Sequence, residues 1–131
     1  MKSTSPRLRV FIDSNIIMEN TILHLGIIGL IELTACDYIK KEVNEVVKRK
    51  FPESTHKVKE ILDTLKTIKT QENKKALNII RDPKDAPILA TVLKYKPDYF
   101  ITGDKDFHTK EIKNKIKVVT TKQFLKEYTK K

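Results

Sequence analysis

The chain has 131 residues, of which 39% are hydrophobic and 34% charged, and its net charge is +10 at pH 7. This length suits one hydrophobic core, so we expect residues 1–131 to form a single domain. No apolar run approaches the roughly 18 residues that a membrane span needs. The N-terminal residues MKSTSPRLRV also lack the apolar region of a secretory signal. We therefore expect a cytoplasmic protein without membrane association.

The excess of basic over acidic residues, 27 against 17, predicts a polyanionic partner, and nucleic acid is the first candidate. Lysine-rich surfaces also occur in proteins without a nucleic-acid role, so charge alone leaves both interpretations open. The chain has no tryptophan and 7% aromatic residues. This composition argues against the rows of stacked aromatic side chains that general single-strand binders use.

The first half of the chain predicts strands alternating with helices. Residues LRVFI (8–12) form an apolar run that ends at Asp13 and is typical of a buried strand. A helical stretch begins within residues 15–20 and continues through TILHLGIIGLIE (21–32). LTACDYI (33–39) indicates a second strand, with Asp37 as a candidate N-cap for the helix KKEVNEVVKRK (40–50). Pro52 ends that helix.

The second half continues the alternation. Apolar residues recur at helical spacing over residues 53–68 and predict an amphipathic helix, whereas TQENKKALNII (70–80) fits a short helix or a loop. Helix-start signals place the next helix from a residue between 83 and 86 to about Tyr95. DYFIT (98–102) and IKVVT (116–120) predict two further strands, and TKQFLKEY (121–128) a closing helix. This order predicts an α/β fold with a mainly parallel sheet and right-handed crossovers.

Four acidic residues, distant in sequence, are expected at the same edge of this sheet. Asp13 follows the first strand, and Asp104 follows DYFIT across the Thr102-Gly103 turn. Asp85 lies in the first turn of a helix and Glu42 in the second turn of another, at the edge where the strands end. Each alone is explained by helix capping, a turn or a solvated helix face. Together they would repel one another unless a cation neutralised them, and oxygen ligands select Mg²⁺ or Mn²⁺ over zinc.

Four segments resemble the PIN-domain ribonucleases, in the family's order and over nearly the whole chain: FIDSN (11–15), KKEV (40–43), DPKDAPILATVL (82–93) and FITGDKDF (100–107). The resemblance is to the small stand-alone PIN proteins that include VapC-like toxins. It implies a Rossmann-like, mainly parallel sheet with helices on both faces. It also implies a metal-dependent phosphodiesterase that cuts RNA.

The resemblance implies roles for particular acidic residues. It assigns catalysis and metal binding to Asp13, Glu42, Asp85 and Asp104, with Asp106 as a further ligand or a supporting acid. Glu45 competes with Glu42 as the second acid, and Glu42 is preferred because it lies nearer the helix N-terminus. Pro87 departs from the family pattern and leaves open a shift of the helix start.

Other residues are given supporting roles. Asn15 and Thr102, with Ser14 as a further candidate, would orient the acids and a water. Lys40, Lys41 and Lys105 either hold substrate phosphates or form part of a solvated face; both interpretations remain open.

The expected reaction is in-line attack of an activated water on an RNA phosphodiester, leaving a 5′-phosphate and a 3′-hydroxyl. The protein would be the toxin of a toxin–antitoxin pair, with an antitoxin partner, or an RNA-processing enzyme. The alternative is a catalytically inactive PIN-fold module that binds RNA or protein. A receiver or phosphohydrolase is disfavoured because FIDSN lacks an adjacent acidic pair or DxD. The segment HLGIIGLIEL (24–33) fits either a homodimer contact or the core.

Overall fold

A computed structural model describes residues 7–17 and 19–130, and five parallel strands form its centre. The strands are β1 (Leu8–Ile12), β2 (Ile31–Cys36), β3 (Lys66–Ile68), β4 (Tyr99–Ile101) and β5 (Val118–Val119). Their order in the sheet is β3-β2-β1-β4-β5, with every neighbouring pair parallel. Residue Phe11 of β1 pairs with Thr34 of β2 on one side and Phe100 of β4 on the other.

Seven α-helices are described around this sheet. They are α1 (Asn20–Ile27), α2 (Asp37–Lys50), α3 (Thr55–Asp63), α4 (Lys74–Ile79), α5 (Ala86–Tyr95), α6 (Lys110–Lys113) and α7 (Thr121–Thr129). Short 3₁₀ helices occupy Ser14–Ile16, Pro52–Ser54, Pro83–Asp85 and Lys105–Phe107. In this part of the chain, every helix is too short or too polar to cross a lipid bilayer.

All strands are parallel, but the direction in which the chain adds strands to the sheet reverses at its middle. The chain moves outward from β1 through β2 to β3, returns to β4 on the other side of β1, and continues to β5. Because crossovers between parallel strands are right-handed, the reversal puts α1 to α3 on one face and α4 to α6 on the other. The predicted α/β fold with a parallel sheet is therefore confirmed. Crevices that bind ligands lie beyond the strand ends at such a reversal, here between β1 and β4.

The central strands are buried on both faces, which explains their continuous apolar sequences. Val10, Phe11 and Ile12 of β1 and Phe100 and Ile101 of β4 are fully buried. The Phe11 and Phe100 rings meet edge to face at 5.6 Å. This packing fixes β1 against β4, so the residues that directly follow the two strands have little freedom to separate.

Two predicted helices were too long. The helix expected through residue 32 ends at Ile27, and Ile31 and Glu32 belong to β2. Gly29 adopts a left-handed φ of 85°, which ends the helix and turns the chain into the strand. The helix expected through Ile68 ends at Asp63, because residues 66–68 pair with β2. In both segments apolar spacing alone did not distinguish a buried strand from the last turn of a helix.

Other boundaries differ by small amounts. Asp37 is the first residue of α2 and Cys36 its N-cap, so the predicted capping role of Asp37 was wrong. The Asp37 carboxylate instead accepts a hydrogen bond from the Thr70 N–H at 3.1 Å. The open choice for residues 70–80 is settled as a helix, α4, whose N-cap Asn73 accepts from the Lys75 N–H at 2.9 Å. Helix α5 begins at Ala86, within the predicted interval, and accommodates Pro87 in its first turn.

Candidate functional site

Asp13 is a buried carboxylate at the carboxyl end of β1. Its backbone N–H donates to the Ile101 carbonyl at 3.1 Å, which continues the pairing of β1 with β4 by one residue. Its carboxylate accepts hydrogen bonds from the Ser14 N–H at 2.7 Å and the Thr102 hydroxyl at 2.7 Å. Burial raises the pKa of Asp13, and the Thr102 and Ser14 hydrogen bonds oppose that rise. Asp13 is thus held in a fixed orientation by groups from two strands.

The turn after β4 is tied to the turn after β1. The Gly103 N–H donates to the Asn15 side-chain oxygen at 3.0 Å, and the Asp104 N–H donates to the Thr102 hydroxyl at 3.0 Å. The Thr102 hydroxyl therefore contacts Asp13 and Asp104 at once. Asn15 and Thr102 thus connect the two turns through hydrogen bonds, and the role predicted for them in orienting the acids stays a prediction.

Three half-buried carboxylates form the tightest acidic group in the described part of the chain. One oxygen each from Asp85, Asp104 and Asp106 lies within 4.8 Å of the other two. Burial, followed by repulsion from Asp104 and Asp13, raises the pKa of Asp85 to about 7. Crowded oxygen ligands of this kind suit a divalent cation such as Mg²⁺ or Mn²⁺, which would relieve the repulsion. The residues present therefore fit the metal that the sequence implied.

Asp13 and Glu42 lie beside this group. The charge of Asp104 contributes to the raised pKa of Asp13. The pKa of Glu42 is raised by burial and then by Asp13, and the Ser14 hydroxyl opposes the rise. The four acids expected at the sheet edge thus share one electrostatic neighbourhood. The tight group of three, however, includes Asp106 in addition to Asp85 and Asp104, and it does not include Asp13 or Glu42.

Glu42 and Glu45 are distinguished by their surroundings. Glu42 lines the same groove as Ser14 and Asn15, next to Asp13. Glu45 lies three residues further along α2 and does not line the groove, although both side chains are exposed. This placement favours Glu42 as the acid that faces the site, and the assignment is tested below.

Two contacts at the site had no specific signal in the sequence. Arg81 donates from Nε to an Asp106 carboxylate oxygen at 2.8 Å, although 84% of its side chain is exposed. Among 27 basic residues, nothing in the sequence distinguishes Arg81. The His108 ring Nε2 lies 2.7 Å from the Thr102 carbonyl and supports the turn that carries Asp104.

Lys40 has a different role from the substrate contact considered for it. Its ammonium donates to the Leu62 carbonyl at 2.7 Å and the Leu65 carbonyl at 3.0 Å, and it also contacts the Thr67 hydroxyl. An ammonium has three protons, and these three acceptors use all of them. Lys40 therefore joins α2 to the end of α3 and to β3. Lys41 and Lys105 are exposed and remain candidates for contact with phosphate.

Comparison with known proteins agrees with the fold. The family model of the PIN domain matches residues 9–106, and the chain belongs to this family. PIN domains are generally nucleases that act on RNA and use divalent metals. No curated protein sequence matches the chain.

Two solved structures share the fold at low sequence identity. The crystal structure of PAE2754 from Pyrobaculum aerophilum has a TM-score of 0.66 at 10% identity, covering 95% of this chain and 97% of that one. The PIN domain of RRP44 from T. brucei has a TM-score of 0.60 at 11% identity, covering 95% of this chain and 82% of that one. At such identities the likeness concerns the fold alone.

Proposed function

We propose that this protein is an Mg²⁺- or Mn²⁺-dependent endoribonuclease that hydrolyses RNA phosphodiester bonds in the cytoplasm. The observation that carries the proposal is the group formed by Asp85, Asp104 and Asp106 beside buried Asp13. A concentrated acidic site in a chain of net charge +10 suits a cation that bridges carboxylates and a polyanionic substrate.

The residues of the site divide into ligands and supports. Asp85, Asp104 and Asp106 would hold the cation, with Asp13 and Glu42 completing its surroundings. A bound divalent cation neutralises charge on the phosphate and activates a water for in-line attack. The Thr102 hydroxyl and the Asn15 amide keep the turns after β1 and β4 in register, so Asp13 and Asp104 do not separate.

The protonation of Asp85 is part of this arrangement. Carboxylates bind cations in their ionised form. With a pKa of about 7, Asp85 keeps its proton in a substantial fraction of molecules at neutral pH while the site lacks a cation. Asp85 must release this proton for the site to be filled.

Exposed Lys41 and Lys105 would contact the phosphates on either side of the cleaved bond. The products would be a 5′-phosphate and a 3′-hydroxyl.

The test is cleavage of a panel of labelled RNAs with Mn²⁺ or Mg²⁺ and with EDTA. We expect metal-dependent cutting by the wild type and a loss of at least about 100-fold in Asp13→Ala and Asp104→Ala. Glu42→Gln should lose activity, whereas its matched control Glu45→Gln should not. Circular dichroism checks that each variant is folded.

Two outcomes would contradict the proposed nuclease or its assigned residues. Folded wild type that binds RNA in a salt-dependent manner but cuts no member of the panel would support the inactive binding module instead. Equal activity in Glu42→Gln and Glu45→Gln would remove Glu42 from the site. Within the nuclease proposal, a toxin is distinguished from an RNA-processing enzyme by a small antitoxin that binds the protein and inhibits cleavage.

A further inference from the structure

An apolar groove opens next to the acidic site. Its volume is about 490 Å³, and the residues that line it are Ser14, Asn15, Ile17, Glu42, Val43, Val46, Val47, Phe51, Ser54 and Val58. Val43, Val46 and Val47 lie on one face of α2, and Val58 of α3 lies opposite. One end of the groove is therefore apolar, while its other end consists of residues that also belong to the candidate active site.

Phe51 gives the apolar end an accessible aromatic ring. Phe51 is 55% exposed, which is unusual for an aromatic residue in this protein. The backbone is fixed on both sides, because the Phe51 N–H donates to the Val47 carbonyl at 2.7 Å and the Phe51 carbonyl accepts from the Ser54 N–H at 2.9 Å. Pro52 follows directly and restricts the chain further. The ring is thus presented at the groove by a rigid turn.

The residues around the groove indicate which kind of ligand it binds. Lys48, Arg49 and Lys50 form the exposed last turn of α2, next to Phe51, and attract phosphate groups. The volume lies in the range of about 300–1,000 Å³ that encloses one small organic group. An apolar slot with an aromatic ring, basic residues beside it and hydrogen-bonding groups at its inner end fits a nucleotide.

We infer that this groove binds one unstacked base of the RNA substrate, stacked on Phe51, and positions the neighbouring phosphodiester at the acidic site. The inference rests on the proposed nuclease function, because the site shares Ser14, Asn15 and Glu42 with the groove. It identifies the substrate as single-stranded at the position next to the cleaved bond, since a base within a duplex cannot enter the slot. A single ring suffices for one base, which agrees with the low aromatic content of the chain.

The test uses a short single-stranded RNA that contains one 2-aminopurine, a base whose fluorescence is quenched by stacking. Binding is measured in EDTA, where metal-dependent cleavage does not interfere. We expect quenching on addition of wild-type protein. Phe51→Ala should lose the quenching and raise the Kd about tenfold, the usual effect of removing one stacked aromatic side chain. Val46→Trp, which fills the groove and leaves Phe51 in place, should also raise the Kd.

The matched control is Leu77→Ala. Leu77 is a large apolar residue on α4 that is 54% exposed, close to the value for Phe51, and it does not line the groove. This variant should bind and quench like the wild type. Equal Kd values for Phe51→Ala, Val46→Trp and Leu77→Ala would overturn the base site.

Cleavage of the same RNA with Mn²⁺ separates failure of the inference from failure of the proposed function. If the wild type cuts the RNA but Phe51→Ala binds it equally well, the base site is wrong and the nuclease stands. If the wild type quenches through Phe51 but never cuts, the base site stands and the nuclease is wrong. If sedimentation shows that the groove is covered by a second copy of the chain, and Phe51→Ala separates the copies, the base site is overturned.

Discussion

In the absence of a cation, the surroundings of Asp85 oppose the ionised form that a metal ligand needs. One of its oxygens lies within 4.8 Å of oxygens of Asp104 and Asp106. Its burial, followed by the charges of Asp104 and Asp13, disfavours the ionised form. Its pKa of about 7 stands well above the ordinary value of 3.8. The native state therefore binds a proton at Asp85 more tightly than the unfolded chain does. The stability that follows is present below about pH 4 and is lost as the pH rises through 7.

Replacement of Asp85 by asparagine tests this relation. In EDTA, we expect Asp85→Asn to be more stable than the wild type at pH 8 and equally stable near pH 3.5. A shift of this size corresponds to at most about 4 kcal/mol, and solvent screening at a half-buried group reduces the expected gain to about 1–2 kcal/mol. Urea unfolding at several pH values measures the difference.

Added Mn²⁺ provides the internal control for Asp85. The cation should stabilise the wild type, by about 2.7 kcal/mol at 100 times its Kd, and stabilise Asp85→Asn less. The exposed carboxylate of Asp63, at the end of α3, supplies a matched variant, Asp63→Asn, whose stability should follow the wild type at each pH. A variant Asp85→Asn that gains nothing at pH 8 would contradict the crowding described here.

The side chain of Lys40 helps to attach helix α2 to the edge of the sheet. Lys40 donates to the Leu62 carbonyl at the end of α3 and to the Leu65 carbonyl just before β3. We expect Lys40→Met to lower the free energy of unfolding by about 1–2 kcal/mol, since hydrogen bonds from a charged group are lost. Lys41→Met, its neighbour with an exposed side chain, should change it by less than about 0.5 kcal/mol. Denaturant unfolding of both variants checks this; equal stabilities would contradict the attachment.

The sequence predicted the alternation of strands and helices because each element has a hydrophobic pattern of its own. It failed at the ends of α1 and α3, where a glycine turn and strand pairing with β2 ended the helices. Whether Ile31 or Ile68 continues a helix or enters a strand depends on neighbours elsewhere in the chain. Local spacing contains no information about those neighbours.

The candidate site likewise contains residues whose positions the sequence could predict and contacts that it could not. Asp13 and Asp104 could be placed together from the rule that parallel strands end at one edge, without knowledge of any side-chain contact. The contact of Arg81 with Asp106 could not, because it depends on where an exposed side chain folds back. The sequence also could not predict which groups Lys40 contacts, since its acceptors lie more than 20 residues away.

The molecule, whose net charge is +10, also exposes an apolar segment next to β2. Ile27, Ile28 and Leu30 are more than half exposed, whereas Ile31 and Leu33, a few residues later, are buried. The segment considered for either a dimer contact or the core therefore does both: Ile31 and Leu33 are buried and Leu25 packs against the core, while the other three large apolar residues are exposed. We propose that Ile27, Ile28 and Leu30 form a homodimer contact, because adjacent exposed apolar side chains mark contact surfaces.

Analytical ultracentrifugation tests the homodimer. We expect the wild type to sediment at twice the monomer mass at micromolar concentration and Ile28→Lys to sediment as a monomer. Leu77→Lys places the same charge at another exposed leucine and should leave the mass unchanged. Wild type that is monomeric at every concentration would rule out this contact.

The register between β1 and β4 also has a consequence for protein synthesis. Asp13 is synthesised 89 residues before Thr102 and 91 residues before Asp104. Strands β1, β2 and β3 can pair before β4 exists, when the chain already contains Asp13, Glu42 and Asp85. Asp104 and Asp106 are still missing at that stage, so the proposed metal site is incomplete. The order of the strands therefore delays the proposed cleavage of RNA until the turn after β4 has been made.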